Sequence, residues 1–579
     1  MINVLKSSIK KVRKESILSM VCVTFECIFE IIIPYTMAML IDSGIETGDF
    51  KVIEKYGSFI ILLILGQVVS GVLCAKFAIA ASTIFACDLR ARMFERIQTF
   101  AFANIDKFST GSLVTRATTD VSYVQRAFQM LIRGAIRSIG MLVFSLILAY
   151  NISFRIAIIF TVMMPLIVGT FVIISKLAMP MFEKMFDAFD NLNNVISENI
   201  RGIRVVKSFN REDFEFKKMK NAADLIFKFS VKAETYIAFW DPFMNISIYT
   251  IIISIAWFGS KAIIASGNNP ALGLTTGKLM SLIAYGMQML MSLMIISMIY
   301  VMIVISSASL KRIKEVLDEE TKIKNKKNAI KDVKDGSIEF KNVYFKYKED
   351  GKRDVLKNIN LSIKSGETIG VIGGTGSGKS SLVNLIPRLY DVTGGEVLVS
   401  EINVKDYYIE SLRKAVGIVL QKNVLFSGTI ASNLRLGNEN ATIQEMEKAC
   451  EIAGAMEFIN EKPNKFDYEV EQGGTNFSGG QKQRLSIART ILKNPKIIIF
   501  DDSTSAVDTK TDAKIRDELK NSLPNTTKII VSQRIISLMN CDRIIVLDNG
   551  KVEAYDTHDN LLKTSNIYKY IYDLQNKGE

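Results

Sequence analysis

The chain has 579 residues, of which 49% are apolar and 23% charged, and its formal net charge is +13. A positive mean hydropathy of +0.22 beside this many lysines predicts a membrane part joined to a polar part, and argues against one uniform globular domain. The single histidine, His558, excludes histidine-based zinc sites, and the six scattered cysteines, none in a CxxC pair, predict no disulfide framework.

Six long apolar runs occupy the first half of the chain. The first follows a basic stretch at 6–14 and extends to about Ile41 without a small-residue cleavage site, so we expect a retained span and no cleaved signal. Each run is near or above the roughly 18 residues that suffice for a transmembrane helix. The other five lie at about 57–82, 134–150, 155–178, 243–265 and 279–305.

The loops predict the topology. The segments at 83–133 and 179–240 are rich in Lys and Arg, whereas 42–56 carries four acids against two lysines. By the positive-inside rule, both termini and the second half of the chain are cytoplasmic, in a multi-pass protein of the cytoplasmic membrane. Topology and contact with anionic lipid then explain the positive charge, so no nucleic acid partner is expected.

The second half of the chain differs from the first in composition and in its pattern of apolar residues. Residues 311–336 are a lysine-rich linker, which divides the chain into a membrane domain at 1–310 and a second domain at 337–579. Short β-rich runs alternate there with helical stretches, as in an α/β domain on a largely parallel sheet. The predicted strands are 338–345, 368–372, 497–500, 528–531 and 543–547.

The strongest chemical signal is a glycine-rich loop. Residues 373–380 read GGTGSGKS, between the strand at 368–372 and a helix-like run at 381–390. Glycines let successive backbone N–H groups turn towards phosphate oxygens. Lys379 should reach the β and γ phosphates, and Ser380 should ligate Mg²⁺. The expected ATP-binding residues are Gly373, Gly374, Thr375, Gly376, Ser377, Gly378, Lys379, Ser380 and Ser381.

A second strand supports the same site. The apolar run at 497–500 ends in Asp501, the position of a carboxylate that associates with Mg²⁺ in nucleotide sites.

A longer string carries a family resemblance. Residues 476–484, NFSGGQKQR, resemble the signature of ATP-binding cassette (ABC) proteins. The resemblance places an adenine-stacking aromatic at Tyr347, a Q-loop residue that is both catalytic and metal-associated at Gln421, and a D-loop at 505–508. Residues 108–120 and 204–212 resemble the two intracellular loops of six-span exporters of that family, so the resemblance covers nearly the whole chain.

The resemblance implies the fold and the assembly. It implies an α-helical membrane domain of six transmembrane helices, with an N-terminal elbow helix and long intracellular extensions, fused to an α/β P-loop ATP-binding cassette domain. ATP would be held between two cassettes, its phosphates contacted by the signature residues of the other chain. In this chain those residues are Ser478, Gly479, Gly480 and Gln481. One membrane domain and one cassette make a dimer the smallest ATP-hydrolysing translocase.

Two positions depart from the family pattern. Asp502 stands where active members carry a water-activating glutamate, and Gln533 stands where they carry a switch histidine. A general base contributes about 10²- to 10⁴-fold, and an amide cannot carry a proton. The Asp-for-Glu change alone can be a tolerated swap, but the pair predicts a degenerate site. We therefore expect a heterodimer, whose other chain is a six-span half-transporter with Glu and His at these positions.

The cargo is weakly specified. Glu26 and Glu30 share a face of the first span, where they form a cation-attracting or proton-linked cavity wall, or lie near a bend at Pro34, or pair with a base such as Lys76. A stripe of methionines in the sixth span lines a cavity or serves ordinary helix packing. Its members are Met287, Met291, Met294, Met298 and Met302. Carboxylates beside soft apolar surface favour small, amphipathic, drug-like molecules, including cations.

Other function classes stay open at this point. With two weakened catalytic positions, the chain could be a regulatory ATP-binding subunit or an ATP-gated pore with little transport of its own. Nothing in the sequence excludes export of lipid, peptide or haem-like molecules.

Overall fold

The structure is a computed structural model that describes residues 2–268, 273–347, 353–502 and 509–576. The chain forms two compact units. The first comprises Met1–Gln98 and Thr110–Glu319, and the second comprises Thr99–Ser109 and Glu320–Glu579.

The first unit is entirely helical where it is described. Its helices are α1 (Ile2–Lys11), α2 (Arg13–Leu40), α3 (Phe50–Gln98), α5 (Thr110–Thr115), α6 (Val121–Gln129), α7 (Ile136–Ile152), α8 (Phe154–Arg201), α9 (Ile203–Ser208), α10 (Glu212–Ala238), α11 (Trp240–Ser266) and α12 (Thr276–Asp318), while α4 (Phe102–Phe108) belongs to the second unit. Three π-helical turns join or extend these helices, at Ile41–Ile45, Arg116–Asp120 and Met130–Ala135.

Within the described residues, six helical segments are long and apolar enough to cross a membrane, as predicted. We call them spans 1 to 6: Arg13–Ile45, Phe50–Gln98, Thr110–Ile152, Phe154–Arg201, Glu212–Ser266 and Thr276–Asp318. Helix α3 has 49 residues and is therefore about 74 Å long. Because the apolar core of a bilayer is about 30 Å thick, such helices extend well beyond it.

Two buried clusters hold the spans together. One joins spans 1, 2, 3 and 6 through Val23, Cys74, Met141 and Tyr285. The other joins spans 4, 5 and 6 around Phe160, Ile251 and Met289. A Cβ atom on Gly286 would lie 2.9 Å from the Phe160 ring, so the glycine allows span 6 to approach span 4 closely.

The second unit is an α/β domain. Its strands are β1 (Ile338–Phe345), β2 (Leu356–Ile363), β3 (Thr368–Gly373), β4 (Gly394–Val399), β5 (Ile402–Asn403), β6 (Val416–Val419), β7 (Gly428–Thr429), β8 (Glu469–Val470), β9 (Ile497–Asp501), β10 (Thr527–Val531), β11 (Arg543–Asp548) and β12 (Lys551–Asp556). Its helices besides α4 are α13 (Lys379–Leu385), α14 (Ile409–Ala415), α15 (Ile430–Arg435), α16 (Ile443–Ile452), α17 (Met456–Asn460), α18 (Gly479–Ile491), α19 (Thr509–Ser522), α20 (His558–Thr564) and α21 (Asn566–Asn576).

Two sheets organise this unit. A six-stranded sheet has the order β12-β11-β3-β10-β9-β6, and all its pairings are parallel except that of β11 with the edge strand β12. A four-stranded antiparallel sheet has the order β2-β1-β4-β5. The five strands expected from the sequence are confirmed, with bounds within one residue. Strands β9 and β10 are buried along their whole length, as apolar parallel strands require.

A short segment from between spans 2 and 3 packs in the second unit. Within Thr99–Ser109, the Asp106 carboxylate accepts a hydrogen bond of 2.8 Å from the Tyr390 hydroxyl. The rings of Phe102 and Tyr390 lie 6.1 Å apart. The Asn104 side chain also donates to the carbonyl of Glu320 at 3.3 Å. This segment leads into residues 108–120, the first of the two stretches that resemble intracellular loops, and overlaps it at Phe108 and Ser109.

Candidate functional site

The candidate site lies at one edge of the six-stranded sheet. Strands β3, β10, β9 and β6 are neighbours in that order and run parallel. The segments that follow their carboxyl ends therefore meet at the same edge. The glycine-rich loop follows β3 and Gln533 follows β10, while Asp501 ends β9 and Gln421 follows β6. Residues far apart in sequence are thus brought together by strand order.

The glycine-rich loop forms a tight turn before α13. Gly376 and Gly378 have φ values of 80° and 99°, which are strained for residues with a side chain. A Cβ atom on Gly378 would also lie 2.8 Å from the Leu356 side chain. The Lys379 ammonium donates to the carbonyls of Gly373 and Gly374 at 2.8 and 2.9 Å. Burial lowers the pKa of Lys379, so an arriving phosphate would find a poorly hydrated cation.

Ser380 and Asp501 form the part of the site suited to a metal ion. The Ser380 hydroxyl donates to the Asp501 carboxylate at 2.9 Å. Asp501 is 6% exposed, and burial raises its pKa. A hydroxyl and a carboxylate at a strand end are hard oxygen ligands of the kind that Mg²⁺ prefers. The residues therefore fit a magnesium ion, which Ser380 and Asp501 would hold.

Asp502 is held by the two other catalytic candidates. Its Oδ2 atom accepts hydrogen bonds from the side-chain amides of Gln533 at 3.3 Å and of Gln421 at 3.4 Å. Its backbone is in the left-handed region, with φ of 48°. The three residues predicted from the sequence thus lie in one cluster. Both amides approach the same carboxylate oxygen, the group that would have to take a proton from water.

The structure also describes Tyr347 and the signature residues. The Tyr347 hydroxyl lies 2.8 Å from the Ser381 hydroxyl, and the residue is 47% exposed, so its ring remains available for stacking. Ser478 caps α18: its hydroxyl accepts from the Gln481 backbone N–H at 3.3 Å, and the Gln481 side chain accepts from the Ser478 N–H at 3.1 Å. The N–H groups of Gly479 and Gly480, in the first turn, have no acceptor within the helix.

One predicted element lies outside the described residues. Residues 505–508, expected to form the D-loop, fall between the described ranges 353–502 and 509–576.

Sequence reasoning missed Gln575. Its side chain binds the backbone directly after the switch position, since its Nε2 donates to the Gln533 carbonyl at 2.7 Å and its Oε1 accepts from the Ile535 N–H at 2.8 Å. Helix α21 therefore holds the backbone on the C-terminal side of residue 533. No sequence signal could have identified it, because a single glutamine near the end of an amphipathic helix has no distinctive pattern.

The two acids of span 1 pair with a residue that the sequence had not suggested. Arg137 of span 3 contacts Glu26 at 3.3 Å and Glu30 at 2.8 Å. Lys76, the suggested partner, is exposed on span 2 and forms no ion pair with them in the described part of the chain. Arg137 could not be singled out from the other arginines of its segment without the packing of spans 1 and 3.

Part of the methionine stripe lines a cavity. Spans 4, 5 and 6 line a half-open cavity of about 330 Å³ whose walls are almost entirely apolar. Met294 and Met298 line it, together with an aromatic group in which Phe171 contacts Trp240 at 5.3 Å and Tyr300 at 5.6 Å. Met287 and Met291, 42% and 57% exposed on the same helix, are not among its lining residues.

The comparisons with known proteins agree with this geometry. Residues 16–293 match the family described as ABC transporter transmembrane region, and residues 356–505 match the family described as ABC transporter. The chain is 33% identical over 558 residues to the uncharacterized ABC transporter ATP-binding protein YfiB of Bacillus subtilis (strain 168), covering 96% of each protein. The chain belongs to the ABC transporter family.

Two further likenesses refine the family assignment. This ABC transporter is 30% identical over 490 residues to the ATP-dependent lipid A-core flippase of Desulfotalea psychrophila (strain LSv54 / DSM 12343), covering 84% of each protein. It shares its fold with a bacterial Atm1-family ABC exporter with ATP bound, at a TM-score of 0.82, 23% identity and 98% coverage of each chain. It is therefore a multi-pass half-transporter of the exporter type, whose cassette binds ATP and couples its hydrolysis to transport.

Proposed function

We propose that this ABC transporter is one half of a heterodimeric exporter and supplies the weakened half-site. In this proposal it moves small amphipathic molecules, including cationic drug-like ones, out across the cytoplasmic membrane, with both termini and the cassette on the cytoplasmic side. The observation that carries the proposal is the cluster of Asp502, Gln421 and Gln533.

The cluster supports slow hydrolysis for three reasons. Aspartate is one methylene shorter than glutamate, so its carboxylate reaches less far towards an attacking water. Two amides already donate to Oδ2 of Asp502. Gln533 can hydrogen-bond a γ phosphate but cannot carry a proton or a positive charge. Since a general base contributes about 10²- to 10⁴-fold, a homodimer with two such sites would turn ATP over slowly.

A partner with complementary residues removes this difficulty. The intact cap formed by Ser478 and Gln481 leaves the N–H groups of Gly479 and Gly480 for the partner's ATP. The partner would carry Glu and His at the positions of Asp502 and Gln533. The site of this chain would hold ATP for longer than the partner's catalytic site does. In it, Lys379 would bind phosphate, and Ser380, Asp501 and Gln421 would bind Mg²⁺.

The cargo proposal rests on the cavity between spans 4, 5 and 6. Its methionines and aromatic rings suit flexible apolar molecules with a polar or cationic end. Lipid is the second candidate cargo, favoured by the likeness to a lipid A-core flippase and by the apolar walls of the same cavity.

The proposal can be tested with the purified chain in lipid. We expect low ATPase activity for the chain alone, and at least a tenfold increase in the double variant Asp502→Glu with Gln533→His, since both missing groups are then present. Lys379→Ala in the double variant is the control and should abolish the gained activity. Rapid hydrolysis by the unmodified chain, lost in Asp502→Ala, would contradict the heterodimer proposal.

A further inference from the structure

A polar cleft lies between spans 2 and 3. It is half-open and has a volume of about 350 Å³. One residue of α3 and five of span 3 line it: Arg90, Thr118, Thr119, Ser122, Tyr123 and Arg126. These lining residues supply two guanidinium groups and four hydroxyls, and none of them carries a carboxylate. The cleft therefore has the chemistry of an anion site, unlike the apolar cavity between spans 4, 5 and 6.

The sequence of span 3 places these groups on one side of the helix. Thr118, Ser122 and Arg126 follow one another at intervals of four residues, so they share a face. The first of them lies in the π-helical turn Arg116–Asp120. Such turns occur frequently at functional sites. The helix geometry at this point thus agrees with a binding role for the face.

One of the two arginines is held in place and the other is not. The Ser122 hydroxyl donates to a backbone carbonyl one turn earlier at 2.9 Å and accepts from Nη2 of Arg90 at 3.1 Å. Arg126 is exposed and forms no hydrogen bond or ion pair within the described part of the chain. The hydroxyls of Thr119 and Tyr123 likewise have no partner among the described residues. These three side chains therefore remain available as donors to a ligand.

The carboxylates nearest in sequence are paired with other bases. Asp88, two residues before Arg90, forms an ion pair with Lys11. Asp120 accepts from the Arg312 guanidinium at 2.7 Å. Both carboxylates are buried, and neither lines the cleft. The positive charge of the cleft is therefore left for a ligand to balance.

The cleft lies just beyond the apolar part of both spans. The apolar run of span 2 ends at about residue 82 and that of span 3 begins at about 134, so Arg90 and Arg126 each lie eight residues outside their run. At about 1.5 Å per residue this is a distance of about 12 Å. The headgroup layer on each side of a bilayer is roughly 5 to 8 Å thick. Water therefore reaches the cleft, and long arginine side chains can also extend to a lipid phosphate.

We propose that Arg90 and Arg126 bind a phosphate monoester or phosphate ion in this cleft. A group of this kind carries a charge of about −1.5 to −2 at neutral pH, which two guanidinium groups balance. Its oxygens match the planar fork of donors on arginine, and Thr119 and Tyr123 supply further donors. The bound group links span 2 to span 3, the two spans that α4 connects in the chain. This site is separate from the nucleotide site and does not depend on the proposed heterodimer.

The phosphate comes either from solution or from an anionic lipid, and thermal unfolding of the full-length chain in nanodiscs separates these sources. Every protein compared carries Lys379→Ala, so that the glycine-rich loop does not contribute. One arm adds inorganic phosphate to phosphatidylcholine nanodiscs at constant ionic strength. The other arm replaces part of the lipid with phosphatidic acid. We expect the unfolding temperature to rise in at least one arm, and the arm that responds identifies the source.

Arg126→Gln is the decisive variant, because it removes no contact within the described part of the chain and should fold normally. It should abolish the response to phosphatidic acid, or raise the phosphate concentration that gives half of the shift by about tenfold. Arg204→Gln, which removes the same charge from an exposed position in α9, is the matched control and should respond as the parent does. No rise in either arm, or an equal rise in Arg126→Gln, would overturn the proposal.

Discussion

Two charged residues of the nucleotide site are partly withdrawn from water. Burial raises the pKa of Asp501 and lowers the pKa of Lys379. A carboxyl whose pKa is higher in the folded state favours the fold at low pH, and this contribution is lost as the pH rises through the folded value. At neutral pH the ionised Asp501 therefore opposes folding until a cation arrives, which ties its charge to Mg²⁺ binding.

Asp501→Asn should separate these two effects. We expect the nucleotide-free variant to be at least as thermally stable as the unmodified chain at neutral pH, because a buried charge is removed. The extra stabilisation that Mg²⁺ gives to the ATP-bound protein should disappear. Thermal unfolding with ATP, in Mg²⁺ or in EDTA, measures both, with the exposed Asp548→Asn as control. A Mg²⁺-dependent shift that survives in Asp501→Asn would contradict the assignment.

Substitution of Gln575 should loosen the backbone at the switch position without removing a residue that is expected to contact ATP. Gln575→Ala removes both hydrogen bonds that fix the backbone around residue 533, so Gln533 should reach Asp502 and the γ phosphate less often. We expect ATP to dissociate several-fold faster, with little change in the unfolding temperature because the residue is exposed. Asp573→Ala on the same helix is the control. Equal ATP retention in both variants would rule out this role.

The sequence identified those site residues that belong to local patterns. The glycine-rich loop and Asp501 each follow an apolar strand, and Asp502 and Gln533 stand at fixed places in family motifs. It could not identify Gln575 or Arg137, because both act through side-chain contacts with residues distant in sequence. The pairing of Glu26 and Glu30 depends on which helices are neighbours, and no spacing along one helix contains that information.

At the scale of elements, apolar runs predicted the membrane helices well but not their ends. Span 2 was expected at about 57–82, whereas α3 continues to Gln98 through a polar, arginine-rich stretch. Propensity and packing extend a helix where hydropathy has already fallen. Strand β2 was not predicted, although it alternates buried and exposed positions much as the predicted strand β1 does.

The end of α12 is anchored by one buried carboxylate. Asp120, 1% exposed, accepts from the Arg312 guanidinium at 2.7 and 2.5 Å and from the Ser309 hydroxyl at 2.9 Å. Asp120→Ala leaves the buried Ser309 hydroxyl and the half-exposed Arg312 guanidinium without their acceptor and should destabilise the membrane unit by about 2 kcal/mol. Glu315→Ala removes a carboxylate that is 46% exposed and pairs with Arg116, and should cost about 1 kcal/mol or less.

Chemical unfolding in detergent micelles would rank these two variants. Equal losses of stability in Asp120→Ala and Glu315→Ala would show that burial of the Asp120 pair is not what anchors this helix.

At the scale of the whole molecule, helix α4 belongs to one unit while its neighbours in the chain belong to the other. It lies in the chain between spans 2 and 3 but belongs to the compact unit that binds ATP. The Tyr390 hydroxyl holds it through Asp106, and burial raises the pKa of Tyr390, which keeps the hydroxyl protonated as a donor. Because the chain runs from span 2 through α4 into span 3, we expect nucleotide-dependent motion of the cassette to be passed to these two spans.

Tyr390→Phe should weaken that connection selectively. The variant keeps the ring contact with Phe102 and loses the hydrogen bond to Asp106. We expect ATP binding and hydrolysis to stay near the unmodified level while transport per ATP hydrolysed falls several-fold. Vesicle transport and ATPase assays on the same preparation measure this ratio, and the exposed Tyr570→Phe is the control. An unchanged ratio would exclude the hydroxyl from coupling.

The placement of α4 also affects the order in which parts of the protein can fold during synthesis. Asp106 and Tyr390 are 284 residues apart, so at about 5–20 residues per second the ribosome makes the second roughly 15 to 60 s after the first. The cassette cannot complete its fold without α4, which lies in the chain between two membrane spans. We therefore expect a fault in inserting span 2 or span 3 to appear as a misassembled cassette, far along the chain from the mutation that caused it.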